Sequence, residues 1–248
     1  MILTRRKASH CQHAYCLCLL LLLGTAQLAA AAPTGLNVIP TTDLAPLHNV
    51  IAGIQNGNTS IPSPAFYQAP DAVIQTEFGI TPNIEAGADW IQPPDVSHQE
   101  ITLNIKGVLL NEDDVMPGLA AGMINLAANQ APGFFVTCSK TLNYDQQQRE
   151  RFRAHHRRNR KLLGRRVHAG LMVDGHGVVE PFVGTDLQLN ESAVLQSDWI
   201  AGPGNALSLG MAYVLPDQKT VLNPAMLYSN NTRRIDGFAL NISRQVAW

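Results

Sequence analysis

The stretch Gly237–Trp248 reads GFALNISRQVAW. Its even positions carry Phe238, Leu240, Ile242, Arg244, Val246 and Trp248, and its odd positions carry Ala239, Asn241, Ser243, Gln245 and Ala247. Side chains alternate across a β-strand, so this is a strand with one greasy face and one small or polar face. What covers the greasy face decides the fold.

The amino end bears on the answer. Arg5, Arg6 and Lys7 precede an apolar run from Cys16 to Leu23, and a small-residue stretch then ends at Pro33. This three-part layout predicts a secretory signal peptide over residues 1–32. Cleavage would remove Cys11, Cys16 and Cys18 and leave Cys138 alone, which excludes a disulfide scaffold or a cysteine-based zinc site. The remaining segment, 33–248, is expected to be a single β domain. No apolar run in it is long enough for a membrane-spanning helix.

Period-two alternation runs through that domain. Ile74, Thr76, Phe78 and Ile80 oppose Gln75, Glu77 and Gly79; after Thr81-Pro82-Asn83, Ile84, Ala86, Ala88 and Trp90 oppose Glu85, Gly87 and Asp89. This is a hairpin with an apolar and an acidic face. The same reading predicts twelve strands, with ten to fourteen compatible, near 45–54, 72–80, 84–91, 101–110, 118–127, 133–142, 166–173, 179–188, 193–201, 206–215, 220–228 and 235–248. Strands of about nine or ten residues match the length that crosses a bilayer at barrel tilt, whereas the strands of soluble proteins cluster near five or six. The segment 33–248 has only Lys106, Lys140, Lys161 and Lys219 as lysines, few for a water-facing sheet.

GFALNISRQVAW resembles the closing strand of bacterial outer-membrane β-barrels, an aromatic residue preceded by apolar residues in phase, which the barrel-assembly machinery is understood to read. Phe238, Leu240, Ile242, Val246 and Trp248 would form that signal, with Arg244 out of pattern on the lipid face. The stretch PTGLNVIPTTDL, Pro33–Leu44, resembles the mature amino terminus of a poorly characterised group of porin-like barrels. The resemblance implies an all-β, antiparallel, up-and-down transmembrane barrel in the outer membrane of a diderm bacterium, acting as a passive porin-like channel or a structural envelope protein. It brings no cofactor and no catalytic signature. Outer-membrane lipid and the assembly machinery are the partners it implies.

With the apolar face toward lipid, Glu77, Glu85, Asp89, Lys106, Glu180, Asp186 and Asp198 point into the lumen. They would make it mainly acidic, or pair with one another and close it. An even strand count places both chain ends and the turns at 81–83, 111–117, 189–192 and 216–219 on the periplasmic side.

One segment is of a different composition. Residues 143–166 contain Arg149, Arg151, Arg153, Arg157, Arg158, Arg160, Lys161, Arg165 and Arg166 against Asp145 and Glu150, a net charge of +7. The parity count puts this long insert in the periplasm, unless a strand before it is miscounted. It is a solvated loop or an arm for anionic lipid or an envelope polymer. Nucleic acid is not expected, since only Phe152 interrupts the basic run. His155-His156 lacks the further ligands a metal site needs.

Two other readings share the alternation. One is a secreted soluble β-sandwich or barrel that binds a partner. The other is a barrel-embedded lipid-modifying enzyme using His168, His176 or Ser197 with Asp174, Asp186 or Asp198. Neither GxSxG nor HExxH occurs.

Overall fold

The computed structural model describes residues 35–59, 72–92, 100–127, 132–142, 165–173 and 177–247. These form twelve strands: β1 (Asn49–Thr59), β2 (Ala72–Thr81), β3 (Ile84–Gln92), β4 (Glu100–Leu110), β5 (Gly118–Leu126), β6 (Gly133–Leu142), β7 (Arg165–Val173), β8 (Val179–Gln188), β9 (Ala193–Ile200), β10 (Ala206–Val214), β11 (Thr220–Ser229) and β12 (Ile235–Ala247). Each pairs antiparallel with its sequence neighbours, and β1 pairs with β12 from Asn49↔Ala247 to Thr59↔Gly237, closing an up-and-down barrel. Closure removes both edges, so every strand finds backbone partners on both sides.

The period-two pattern becomes two concentric surfaces. Outward stand Ile74, Phe78 and Ile84 in the first hairpin, Ile101, Leu103 and Ile105 on β4, Val136 on β6, Leu171 on β7, Val183 on β8, Leu207, Leu209 and Met211 on β10, and Phe238, Leu240, Ile242 and Val246 on β12, all exposed. Phe238 is 66 % exposed and Ile101 62 %, while Lys106 and Glu85 are 0 % exposed. This is the reverse of a water-soluble protein, in which charge faces out and large apolar side chains face in. Phe238 to Val246 spans about 27 Å along the strand at ~3.4 Å per residue. A tilt of about 40° projects that to about 20 Å, close to the ~25 Å apolar band of outer-membrane barrels.

The twelve-strand count holds, and most strand ends fall within a residue or two of the sequence expectation. The exception is β1, expected at 45–54 and found at Asn49–Thr59. Residues 45 and 46 are committed elsewhere: the Ala45 amide donates to Glu85 Oε2 at 2.6 Å inside the barrel. His48 then takes a left-handed φ of 58° as the chain turns into the wall. Strand parity places Leu142 and Arg165, which flank residues 143–164, at the same barrel end as the starts of β1, β3 and β5 and the end of β12, so no strand is missing before β7. Arg165 and Arg166, counted with the basic insert, belong to β7. The other insert residues, the signal segment 1–32 and Trp248 lie outside the described residues.

Candidate functional site: a lumen filled by the amino-terminal segment

Residues 35–46 run inside the barrel, a placement the sequence did not suggest. The segment begins with a tight turn in which Leu36 N donates to Ile39 O at 3.0 Å. It then crosses the bore and makes contacts with successive strands. Asn37 Nδ2 donates to Ser208 Oγ of β10 at 2.9 Å, and the Val38 amide donates to Asp198 Oδ2 of β9 at 3.1 Å. Pro40 O accepts from Thr137 Oγ1 of β6 at 3.1 Å, and the Thr42 amide donates to Ser139 Oγ at 3.2 Å. Ala45 reaches Glu85 of β3. An irregular backbone in a closed bore needs partners for its polar groups, and the inward polar side chains of the wall supply them.

Inward glycines make room for the segment. A Cβ on Gly79 would collide with the Pro46 carbonyl oxygen, and one on Gly184 would lie 2.6 Å from Ile39 Cδ1 and 2.8 Å from Leu36 Cδ1. Leu36 and Ile39 join Ile124, Phe135, Met172, Phe182 and Ile200 in a buried apolar cluster within the bore. The interior of the β5–β9 side is therefore a packed core.

The charged residues are largely held in local pairs. Lys106 Nζ lies 2.9 Å from Glu85 Oε1, with both side chains fully buried. Asp89 Oδ2 accepts from Asn104 Nδ2 at 2.7 Å, and Asp198 accepts from Ser208 Oγ as well as from Val38. Glu77 and Glu180 are each 5 % exposed, and the Asp186 carboxylate is 22 % exposed. At the end where the chain enters, Arg166 grips Asp43 with two hydrogen bonds of 2.6 and 2.7 Å, donates to Thr42 Oγ1 at 2.8 Å and pairs with Glu112 at 3.2 Å. Both bonds to Asp43 come from Nη1, and with the Thr42 and Glu112 contacts they fix the guanidinium's position as well as its charge. Lys106, Arg166 and inward amides and hydroxyls thus hold Glu85, Asp43, Glu112, Asp89 and Asp198 in local contacts.

The candidate hydrolytic residues separate. Ser197 donates to the Ser208 carbonyl at 3.1 Å and sits on the opposite face of β9 from Asp198. His176 and Asp174 lie outside the described residues. The β6–β7 register instead sets Ser139 opposite His168, and Asp186, opposite Arg166, lies diagonally across from that histidine: Ser139 Oγ is 2.8 Å from His168 Nδ1, and His168 Nε2 is 3.2 Å from Asp186 Oδ2. The set has the connectivity of a nucleophile, base and orienting acid. Ser139 is, however, fully buried and accepts the Thr42 amide, so in this conformation it anchors the amino-terminal segment. Sequence reasoning missed Ser139 because only the strand register brings it to His168. Among the described residues no group of three metal-ligating side chains assembles.

A cavity of about 300 Å³ remains beside residues 35–38, between β1, β2 and β9–β12. Its polar lining includes Gln55, Gln75, Glu77, Gln196, Asn223 and Asn241. These are mostly neutral amides, none of which the sequence pattern singled out. Arg244, the residue out of pattern on the outer face, lies 3.3 Å from Asp217 in the β10–β11 turn. Its charge thus sits at the barrel rim.

No family model and no curated protein matches the chain. Among solved structures, it is similar to the KdgM porin in complex with disordered oligogalacturonate, at 6 % identity and a TM-score of 0.47, over 81 % of this chain and 99 % of that one. It is also similar to a triple mutant of Rhodopseudomonas blastica porin, at 10 % identity and a TM-score of 0.37, over 74 % of this chain and 59 % of that one. At these values the closed barrel rests on its own strand pairing.

Proposed function

We propose that this chain is a diderm outer-membrane barrel, exported by residues 1–32, that forms a narrow porin-like channel and is not an enzyme. The observation that carries this reading is the inverted distribution of side chains, with Lys106 and Glu85 fully buried in the bore and Phe238, Ile101 and Val136 exposed on the outer wall. Exposed apolar surface around the whole circumference is stable against lipid acyl chains and a liability in water. That disfavours the secreted soluble barrel.

Residues 35–46 narrow the bore and leave an amide-lined cavity of about 300 Å³ beside them. Small solutes would pass along that side, while the basic connection 143–164 would meet anionic lipid or envelope polymers at the periplasmic rim. The burial of Ser139 beneath Thr42 supports the non-enzymatic reading. The barrel-assembly machinery would act on the closing strand, β12.

Planar-bilayer recording tests the channel. Folded protein should give small, regular conductance steps; their absence from a heat-modifiable, correctly folded sample would leave only a structural envelope role. Fractionation tests the location: protein remaining in the aqueous fraction after high-salt washing would remove the membrane reading.

A further inference from the structure

We infer that a depression at the extracellular rim of β9–β11 is a binding site for a phosphate-bearing glycolipid of the outer leaflet, an inference that rests on the outer-membrane reading for its orientation. The depression, of about 550 Å³, is lined by Trp199, Gly202, Pro203, Tyr228, Asn230 and Arg233. It lies at the barrel end opposite the start of β1 and the end of β12. Register sets Leu207 between Trp199 on one side and Tyr228 on the other, and all three side chains are exposed on the outer wall. Leu209 continues that face toward the middle of the apolar band. From the band outward the order is aliphatic, aromatic, cationic, which matches acyl chain, sugar and phosphate in such a lipid.

Hydrogen bonds hold the depression in shape. Trp199 Nε1 donates to Asn230 Oδ1 at 3.0 Å, which orients the indole. Asn230 Nδ2 donates to the carbonyls of Ile200 and Gly202, each at 2.8 Å, and the Asn230 amide donates to Asn205 O at 2.9 Å. One asparagine thus ties the β9–β10 connection to the β11–β12 turn. That turn is closed by Ser229 N donating to Arg234 O and Arg233 N donating to Ser229 O, both at 3.0 Å, with Arg233 at a left-handed φ of 54°. Among the described residues the exposed Arg233 guanidinium forms no ion pair, whereas Arg166 and Arg244 each have a carboxylate partner. The Glu180 carboxylate, against which a Cβ on Gly202 would press, faces the bore and is 5 % exposed. A guanidinium without a counter-charge suits a phosphate, and the two aromatic rings beside it offer apolar surface to the C–H groups of a sugar.

The test is native mass spectrometry of the full chain folded in detergent micelles with an equimolar mixture of diphosphoryl lipid A, its dephosphorylated form and phosphatidylglycerol. Diphosphoryl lipid A should be retained in preference to both. Arg233→Gln should weaken that retention roughly fivefold, the worth of about one basic side chain at an anionic surface. Trp199→Leu should weaken retention of lipid A with and without its phosphates, while Arg244→Gln, at the opposite rim, should change neither. Where Arg233→Gln or Trp199→Leu loses heat-modifiable mobility, Tyr228→Leu replaces it, with weaker retention of both forms expected. Equal retention of the dephosphorylated form or of phosphatidylglycerol, or unchanged retention in the folded Arg233 and Trp199 variants, would overturn the site. A folded, heat-modifiable sample without the preference removes the site alone. A chain that stays in the aqueous fraction after high-salt washing removes the membrane reading and the site with it.

Discussion

Lys106 shows most plainly what the interior demands. A fully buried ammonium needs a counter-charge, which Glu85 supplies 2.9 Å away, and Glu85 in turn accepts the Ala45 amide. Replacing Lys106 with Met leaves that carboxylate without its cation, and breaking a buried pair this way costs about 3–5 kcal/mol. The urea midpoint of K106M should fall accordingly, and K106M/E85Q should recover part of the loss. At the rim the balance differs. Asp217 is exposed, and its carboxyl is held down to about 2 by the Thr220 hydroxyl and by the Lys219 and Thr220 amides. A depressed carboxylate contributes stability above its unfolded value, near 4, that is lost as pH falls through about 2. NMR titration of Asp217 should therefore show a midpoint near 2, and D217N should remove that acid-side loss.

The elements were legible to different degrees for physical reasons. Strands β2 to β12 announced themselves because a sheet with unlike faces must alternate, and Ile101-Thr102-Leu103-Asn104-Ile105 does so without a break. The inward phase of Glu85 and Lys106 could be read from the same alternation once the outer face was assigned to lipid. Residues 35–46 were not legible, since Leu36, Val38 and Ile39 look like the approach to a strand and an irregular segment has no period. A weaker signal was present: Gly79, Gly184 and Gly210 occupy inward positions, and glycine inside a strand marks close approach by another group. G79A should push Pro46 away from the wall, loosening the segment and raising single-channel conductance. S139A, which removes the acceptor of the Thr42 amide, should act in the same direction more mildly. If neither variant changes conductance, residues 35–46 do not limit the bore.

At the scale of the whole molecule, β12 closes the barrel, and the proposed reading gives it the assembly signal as well. It carries the apolar face of Phe238, Leu240, Ile242 and Val246 and completes the ring against β1. Deleting Trp248 should reduce the fraction of protein that acquires heat-modifiable mobility in cells; normal insertion without it would remove the assembly role assigned to the closing strand. The central claim is that the barrel is inverted, with lipid outside and polar groups within. The most direct measurement is single-cysteine labelling along β4 in a Cys138→Ser background, using a membrane-partitioning maleimide on protein reconstituted in vesicles. Cysteines replacing Ile101, Leu103 and Ile105 should label from the lipid phase, while those replacing Thr102 and Asn104 should stay protected. Labelling that ignores the alternation, or falls on Thr102 and Asn104 instead, would contradict the account.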